Sequence, residues 1–291
     1  KDLYAADLKL GEEGRTEYKF IVDGKWILDP LNSKKLDNGA GGENSVLEMP
    51  GYKPTEWTKE IEKSPLMPKV SELEIESKRY GKRTVKIYLP SEYFRRGIAP
   101  KLPVLYLLDG GEYIKRGRAI QVLENLIAAG KVKPFMLVFT NAVDRRNEYP
   151  ANDDYADYFA TEVVSAVEKK YFQAIKPGRE NRAILGASFG GIASLWIGLR
   201  HPDKFKNIGG HSNSFWVDNQ RVIGALSNLN GNEDLNFYMD DGLLEGVEDS
   251  RRVATMLRGK GFPVKYIETE AGHNWTNWRD RLADAFVALM K

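Results

Sequence analysis

The chain has no cysteine and only 3 histidines in 291 residues. Without cysteine there is no disulfide scaffold, no thiol nucleophile, no thiolate zinc site and no iron–sulfur cluster. A chain this long buries enough core not to need disulfides, so the absence says nothing about compartment. The scarcity of histidine forces any histidine-dependent step onto His201, His211 or His273. Charge of one sign is also lacking: 43 Lys plus Arg stand against 41 Asp plus Glu, a net of +2. That is no phosphate-tracking surface, and nucleic acid is not an expected partner. Long apolar runs are missing too. The longest, Leu102 to Leu108, falls far short of the ~18 residues of a membrane span and reads as a buried strand. No signal or transit peptide stands at the front. Lys rather than Met as first residue leaves room for a removed leader, and a secreted or periplasmic location is favoured narrowly over the cytoplasm.

What is present divides at about residue 50. Residues 1–49 read as short strands: Leu3–Leu10, Glu17–Val22, the return strand Lys25–Leu28 after the Asp23-Gly24 turn, and Asn44–Glu48. So few strands make a poor independent core. Residues 50–69 carry Pro50, Pro54, Pro65 and Pro68 among charges, the composition of a linker or of a loop hugging its neighbour, with Trp57 suggesting docking. From 70 to 291 a hairpin (Ser71–Ile75, Thr84–Leu89) is followed by strand candidates Pro103–Leu108, Phe135–Thr140, Arg182–Ala187, Asn207–His211, Leu235–Met239 and Val264–Glu268. Helix candidates fall between and after them: Arg118–Ala129, Tyr155–Tyr171, Phe189–Arg200, Asn219–Asn228, Val247–Arg258 and Trp275–Met290. This alternation predicts an α/β fold, a mostly parallel sheet covered by helices, with its site at the carboxyl ends of the strands.

The sharpest motif is Gly186-Ala187-Ser188-Phe189-Gly190. G-x-S-x-G alone is weak, arising by chance in about a tenth of chains this long. Here the apolar run Ala183–Leu185 precedes it and the apolar stretch Ile192–Leu199 follows it, the strand–turn–helix of a nucleophile elbow. Ser188 needs a base. His201 ends the following helix, which leaves His211 and His273, both at strand ends. The glycine beside His273 and its place on the final crossover favour His273. An acid to orient it is expected at the end of the strand Leu235–Met239, where Asp240 and Asp241 stand, and Asp241 is chosen of the two. Glu245, Glu248 and Asp249 read as the charged start of the next helix. One oxyanion donor is expected from the Phe189 N–H and another from the loop Leu108–Glu112. Around this centre Arg146, in Asp144–Tyr149, and Glu112 are candidates to hold a polar substrate group, although an internally salt-bridged loop is an equal reading. Trp216 and Trp275 are candidates for an aromatic wall, with core packing weighed evenly against it.

Taken together, LYLLDGG (105–111), DRRNEY (144–149), GASFGG (186–191), SNSFW (212–216), YMDDGLLEG (238–246) and AGHNW (271–275) resemble the Putative esterase branch of the α/β-hydrolase superfamily. That branch holds enterochelin esterase-like, feruloyl esterase-like and esterase D-like proteins. The resemblance implies a serine carboxylic-ester hydrolase without cofactor or metal. It maps the nucleophile onto Ser188, the base onto His273, the acid onto Asp241 and the oxyanion donors onto Phe189 and Gly111. The substrates it implies are small-molecule or glycan-linked esters of aromatic, catecholate or acetyl acids. AGHNW departs from the family's usual G-G-H-D-W and removes an acidic neighbour of the histidine. Residues 15–48 resemble the second half of an isoamylase or glycogen-binding β module, an immunoglobulin-like sandwich. In sugar-binding members the equivalents of Lys19, Trp26 and Asn44 contact glucan. Two further readings use the same residues: a carbohydrate-binding protein on a hydrolase scaffold, and an acyltransferase.

Overall fold

The computed structural model describes residues 9–39, 41–60, 70–95 and 101–290. The expected strand Leu3–Leu10 lies mostly outside these residues, as do Pro65 and Pro68 of the expected linker.

Five short strands come first: β1 (Arg15–Tyr18), β2 (Phe20–Val22), β3 (Lys25–Ile27), β4 (Lys35–Asp37) and β5 (Glu43–Glu48). Asp23 and Gly24 close the β2–β3 hairpin with φ of 50° and 74°, the positive values a tight two-residue turn requires. Where the sequence predicts one strand over Glu17–Val22, the chain breaks at Lys19. The first part pairs with β5, whose other edge holds β4, and the second pairs with β3. β2, β3 and β4 are exposed throughout, so this piece buries little of itself. It leans on the rest of the chain through β1, whose Arg15 N donates to the Glu270 carbonyl at 2.9 Å and bridges Ala271. In the connection, Trp57 packs against the larger core, and Asn125 Nδ2 donates to the Trp57 carbonyl at 2.8 Å.

The larger part runs β6 (Ser71–Ser77), β7 (Gly81–Tyr88), α1 (Ser91–Arg95), β8 (Val104–Leu108), α2 (Gly110–Lys115), α3 (Ala119–Ala128), β9 (Met136–Thr140), α4 (Arg145–Glu148), α5 (Asp153–Tyr158), α6 (Val164–Lys170), β10 (Arg182–Ala187), α7 (Phe189–Arg200), β11 (Asn207–His211), α8 (Arg221–Ser227), β12 (Asn236–Gly242), α9 (Glu248–Gly259), β13 (Val264–Thr269) and α10 (Trp275–Leu289). One 8-stranded sheet results, in the order β13-β12-β11-β10-β8-β9-β7-β6. Strands β8 to β13 are parallel and the β6–β7 hairpin is antiparallel at one edge. Every residue of β8, β9 and β10 is buried, as strands covered on both faces demand. Alternate residues feed two cores. Val104, Tyr106 and Leu108 belong to the core that α5 to α9 cover, while Leu105 and Leu107 belong to the core that α3 and α10 cover. Each fully buried Leu, Val or Phe contributes about 1.5–3 kcal/mol.

This is the α/β architecture the alternation predicts, with three departures. The Leu108–Glu112 segment is no free loop, because α2 begins at Gly110. The helix expected over Tyr155–Tyr171 is interrupted by a π turn at Phe159–Val163. Strand β12 continues past Met239, because pairing with β13 persists through Asp240↔Ile267, Asp241↔Glu268 and Gly242↔Thr269. No described helix is long and apolar enough to cross a membrane.

Candidate active site

Ser188 stands between β10 and α7 with φ 59° and ψ −119°, a conformation an ordinary side chain adopts at a cost of about 1–3 kcal/mol. The turn is too tight for any side chain at Gly186, where a Cβ would fall 2.1 Å from the Gly190 carbonyl oxygen. Ser188 N donates to the His211 carbonyl at 2.8 Å, which ties the turn to β11. Phe189 is the first residue of α7, so its N–H has no intrahelical acceptor and remains available to a ligand.

The loop after β13 brings His273 to this serine. His273 Nε2 lies 2.9 Å from Ser188 Oγ, and Nδ1 lies 2.5 Å from Glu245 Oε2. The carboxylate beside His273 is that of Glu245, where the sequence led to the expectation of Asp241. The reason is the strand's period of two. Asp240 and Asp241 are still inside β12, so their side chains leave on opposite faces of the sheet. The chain then turns through Gly242–Gly246, and Glu245 is carried back over the strand end, where its Oε1 accepts from Gly242 N at 2.6 Å and from Ser212 Oγ at 2.7 Å. Helix α9 starts only at Glu248, so Glu245 does not belong to the helix start the sequence suggested. One further residue, Trp278, was not anticipated. Trp278 sets its ring edge-on to His273 at 5.1 Å and donates Nε1–H to Ser212 Oγ at 2.8 Å, so Ser212 links the acid to α10. Ser214 places its hydroxyl 3.1 Å from Ser188 Oγ.

The two aspartates have other fates. Asp240 Oδ2 meets His211 Nδ1 at 2.6 Å and the Tyr238 hydroxyl at 2.5 Å in a fully buried cluster. His211, the other candidate base, is therefore committed beneath the elbow and has no access to substrate. Asp241 points under α9, where burial pushes its carboxyl up to about 8, the Ser250 hydroxyl opposing and the nearby Glu245 and Asp240 adding to the rise. As pH rises from the ordinary 3.8 towards about 8, the unfolded chain gives up this proton while the folded chain keeps it, so folding stability declines across that window. Asp241→Asn is expected to leave Tm unchanged near pH 4 and to raise it by several degrees at pH 8, which thermal melts at the two pH values check.

The β8–α2 loop is braced from the β9 side. Burial pushes the Asp109 carboxyl up, and the Arg145 guanidinium, 2.9 Å away, opposes it. Arg145 also donates to the Ala187 carbonyl at 3.0 Å and stacks over the Phe189 ring at 5.3 Å. Gly111, the expected second oxyanion donor, gives its N–H to Asn141 Oδ1 at 3.0 Å in this state. Of the rim candidates, Arg146 is exposed, and Trp216 is 74% exposed with its ring 5.8 Å from Phe189. Trp275 is half-buried, edge-on to Tyr113 and Trp278, and belongs more to the core than to a wall. Glu112 is paired with Arg116, which also binds Asp37, and so is not a free substrate ligand. Asn274, the departure within AGHNW, caps α10 by accepting from Asn277 N at 3.1 Å.

Lys19, Trp26 and Asn44 converge on the N-terminal strands. With Glu17 and Tyr18 they line an open cleft of about 440 Å³, and Trp26 is 68% exposed.

Comparison with known proteins bears on family and fold. The family model described as Putative esterase matches residues 77–289. The iron(III) enterobactin esterase of Escherichia coli K12 is 27% identical over 281 residues, which cover 90% of this chain and 67% of that protein. An endo-1,4-beta-xylanase/feruloyl esterase of Xylanibacter ruminicola is 26% identical over 223 residues, 72% of this chain and 29% of that protein. In fold, the chain is similar to a crystal structure of the enterobactin esterase of Shigella flexneri determined with enterobactin. The TM-score is 0.74 at 22% identity, over 96% of this chain and 78% of that one. The chain thus spans about two thirds of the enterobactin esterase from Escherichia coli and under a third of the xylanase/feruloyl esterase.

Proposed function

The chain belongs to the Putative esterase family of serine-type carboxylic ester hydrolases, and from that premise we propose that it cleaves esters through an acyl-enzyme formed on Ser188. The observation that carries this reading is the run of contacts from Ser188 Oγ to His273 Nε2 at 2.9 Å and from His273 Nδ1 to Glu245 at 2.5 Å, starting from a serine held at φ 59°.

The steps follow from those contacts. His273 Nε2 takes the proton as Ser188 Oγ attacks the ester carbonyl, and Glu245 stabilises the imidazolium and fixes its tautomer without taking the proton. The oxyanion accepts from the Phe189 N–H, and from the Gly111 N–H once it leaves Asn141. His273 passes its proton to the departing alkoxide, then activates a water to release the acid. Only donors aimed at the developing charge speed the chemistry, which is why a helix start lies at this point.

For substrate, Arg146 and Trp216 favour a flat, acidic or phenolic acyl group. The names of the relatives, enterobactin esterase and feruloyl esterase, fit the same chemistry. The cleft around Trp26 favours an alcohol portion made of sugar. Hydrolysis of p-nitrophenyl acetate, methyl ferulate and a catecholate siderophore lactone tests the reading. Turnover of methyl ferulate above the other two supports sugar-linked aromatic esters, and turnover of the lactone above the others supports siderophores. No turnover of any, together with retention on a glucan column, moves the assignment to a carbohydrate-binding protein. Trp26→Ala is expected to abolish any such retention and to leave hydrolysis of the small esters within about twofold.

A further inference from the structure

On its inner side the loop that carries His273 is held by the larger part: Leu244 N donates to the Ala271 carbonyl at 3.0 Å, and the side-chain amides of Asn274 and Asn277 donate to the Gly272 carbonyl at 3.1 and 3.4 Å. The loop is five residues, Glu270 to Asn274, between the last strand and the last helix, and the His273 side chain is 41% exposed. The N-terminal strands grip this loop on both sides of the histidine. Before it, Arg15 N donates to the Glu270 carbonyl at 2.9 Å and pairs with Ala271. At Gly272 the approach is so close that a Cβ would sit 3.0 Å from Thr16 Oγ1. After it, Arg15 Nη1 donates to Asn274 Oδ1 at 3.3 Å, and Gly39 lies against Trp275, where a Cβ would come within 3.4 Å of the indole. The Arg15 guanidinium is itself held by Glu17 Oε1 at 3.2 Å. The other oxygen of Glu17 accepts from Asn44 Nδ2 at 3.2 Å, and the Arg15 and Glu17 side chains are only 7% and 5% exposed.

We propose that Arg15, oriented by Glu17, is a positioning residue for the hydrolase centre: it clamps Asn274, and through the loop sets the distance and angle between His273 and Ser188. The hydrolytic centre is therefore completed by the N-terminal strands rather than contained in residues 70–291. The same contacts give Asn274 a role. One side-chain oxygen serves both the α10 cap and the clamp, so the histidine loop and the start of α10 are tied to a common point. A buried arginine fork does this better than a lysine, since its planar donors reach two acceptors at fixed angles. This inference rests on His273 being the base for Ser188, as proposed above.

A fluorophosphonate tests it without choosing an ester: Ser188 Oγ bonds to phosphorus, fluoride leaves, and the rate reads the Ser188–His273 pair. The maximal inactivation rate and the half-saturating concentration are measured separately. Asn274→Ser keeps a good helix cap but is too short to reach Arg15. It is expected to lower the maximal rate about tenfold, with half-saturation within about twofold and Tm near that of the unchanged protein. Arg15→Met is expected to do the same or worse, Arg15→Lys to recover part of the loss, and Lys25→Ala, on an exposed strand of the same piece, to change nothing. Folded Asn274→Ser protein labelled at the full rate would overturn the clamp, as would Arg15→Lys behaving no better than Arg15→Met. Absence of labelling in the unchanged protein would overturn the triad and the clamp together. Full labelling without ester turnover would overturn the substrate reading and leave the clamp standing.

Discussion

Ser188→Ala is expected to lower kcat on the preferred ester by roughly 10⁴–10⁶-fold with little change in KM, because removing the nucleophile disables the base and the acid with it. What remains after such a loss comes from substrate binding and from the donors at Phe189 and the β8–α2 loop. The Ser214 hydroxyl lies 3.1 Å from Ser188 Oγ, within reach of the same region. If Ser188→Ala keeps more than about a thousandth of the rate, adding Ser214→Ala separates a substitute nucleophile from direct attack by water. A rate unchanged by both replacements would exclude the acyl-enzyme.

Glu245→Gln is expected to cost about 10³–10⁴-fold in kcat while the fold persists, and Asp241→Asn is expected to cost less than about threefold. Glutamine keeps the length of the side chain. Its carbonyl can still accept from Gly242 N and Ser212 Oγ, which now hold Glu245 Oε1. The amide nitrogen then faces His273 Nδ1 as a donor. His273 must offer a lone pair at Nδ1 and carry its proton on Nε2, the atom that has to accept from Ser188. The tautomer is inverted with no atom misplaced. Paired kcat measurements on the two variants distinguish the carboxylates, and the reverse pattern would return the acid to Asp241.

Much of this was legible in the sequence because it follows from local rules. The apolar run Ala183–Leu185, the glycines about Ser188 and the apolar helix behind it specify strand, turn and helix with only a few residues in play. His273 could be read in part from scarcity: with 3 histidines, elimination leaves His211 and His273, and the adjacent glycine and the final crossover favour His273. The acid was not legible, because the answer depended on where β12 stops. Three more residues of pairing with β13 put both aspartates inside the sheet and left it to the turn to bring Glu245 to His273. Glycines 242 and 246 bracket that turn and were the available signal. The occupation of Gly111 by Asn141 was equally hidden, since the two sit 30 positions apart on neighbouring strand ends. The break at Lys19, which splits one apparent strand between two partners, reflects tertiary pairing that β-propensity does not encode.

The bond between Arg15 and Asn274 closes a loop of 259 positions. In synthesis the gripping strands precede the histidine loop by that whole distance, so they must wait for the intervening chain before the hold can form. Contacts of such long range are entropically late in folding as well as late in synthesis. Nascent and prematurely ended chains can therefore build the elbow, with Ser188 already in place, and still be unable to hydrolyse anything. Under the proposed triad, ester cleavage waits for the histidine loop, long after the elbow has been made.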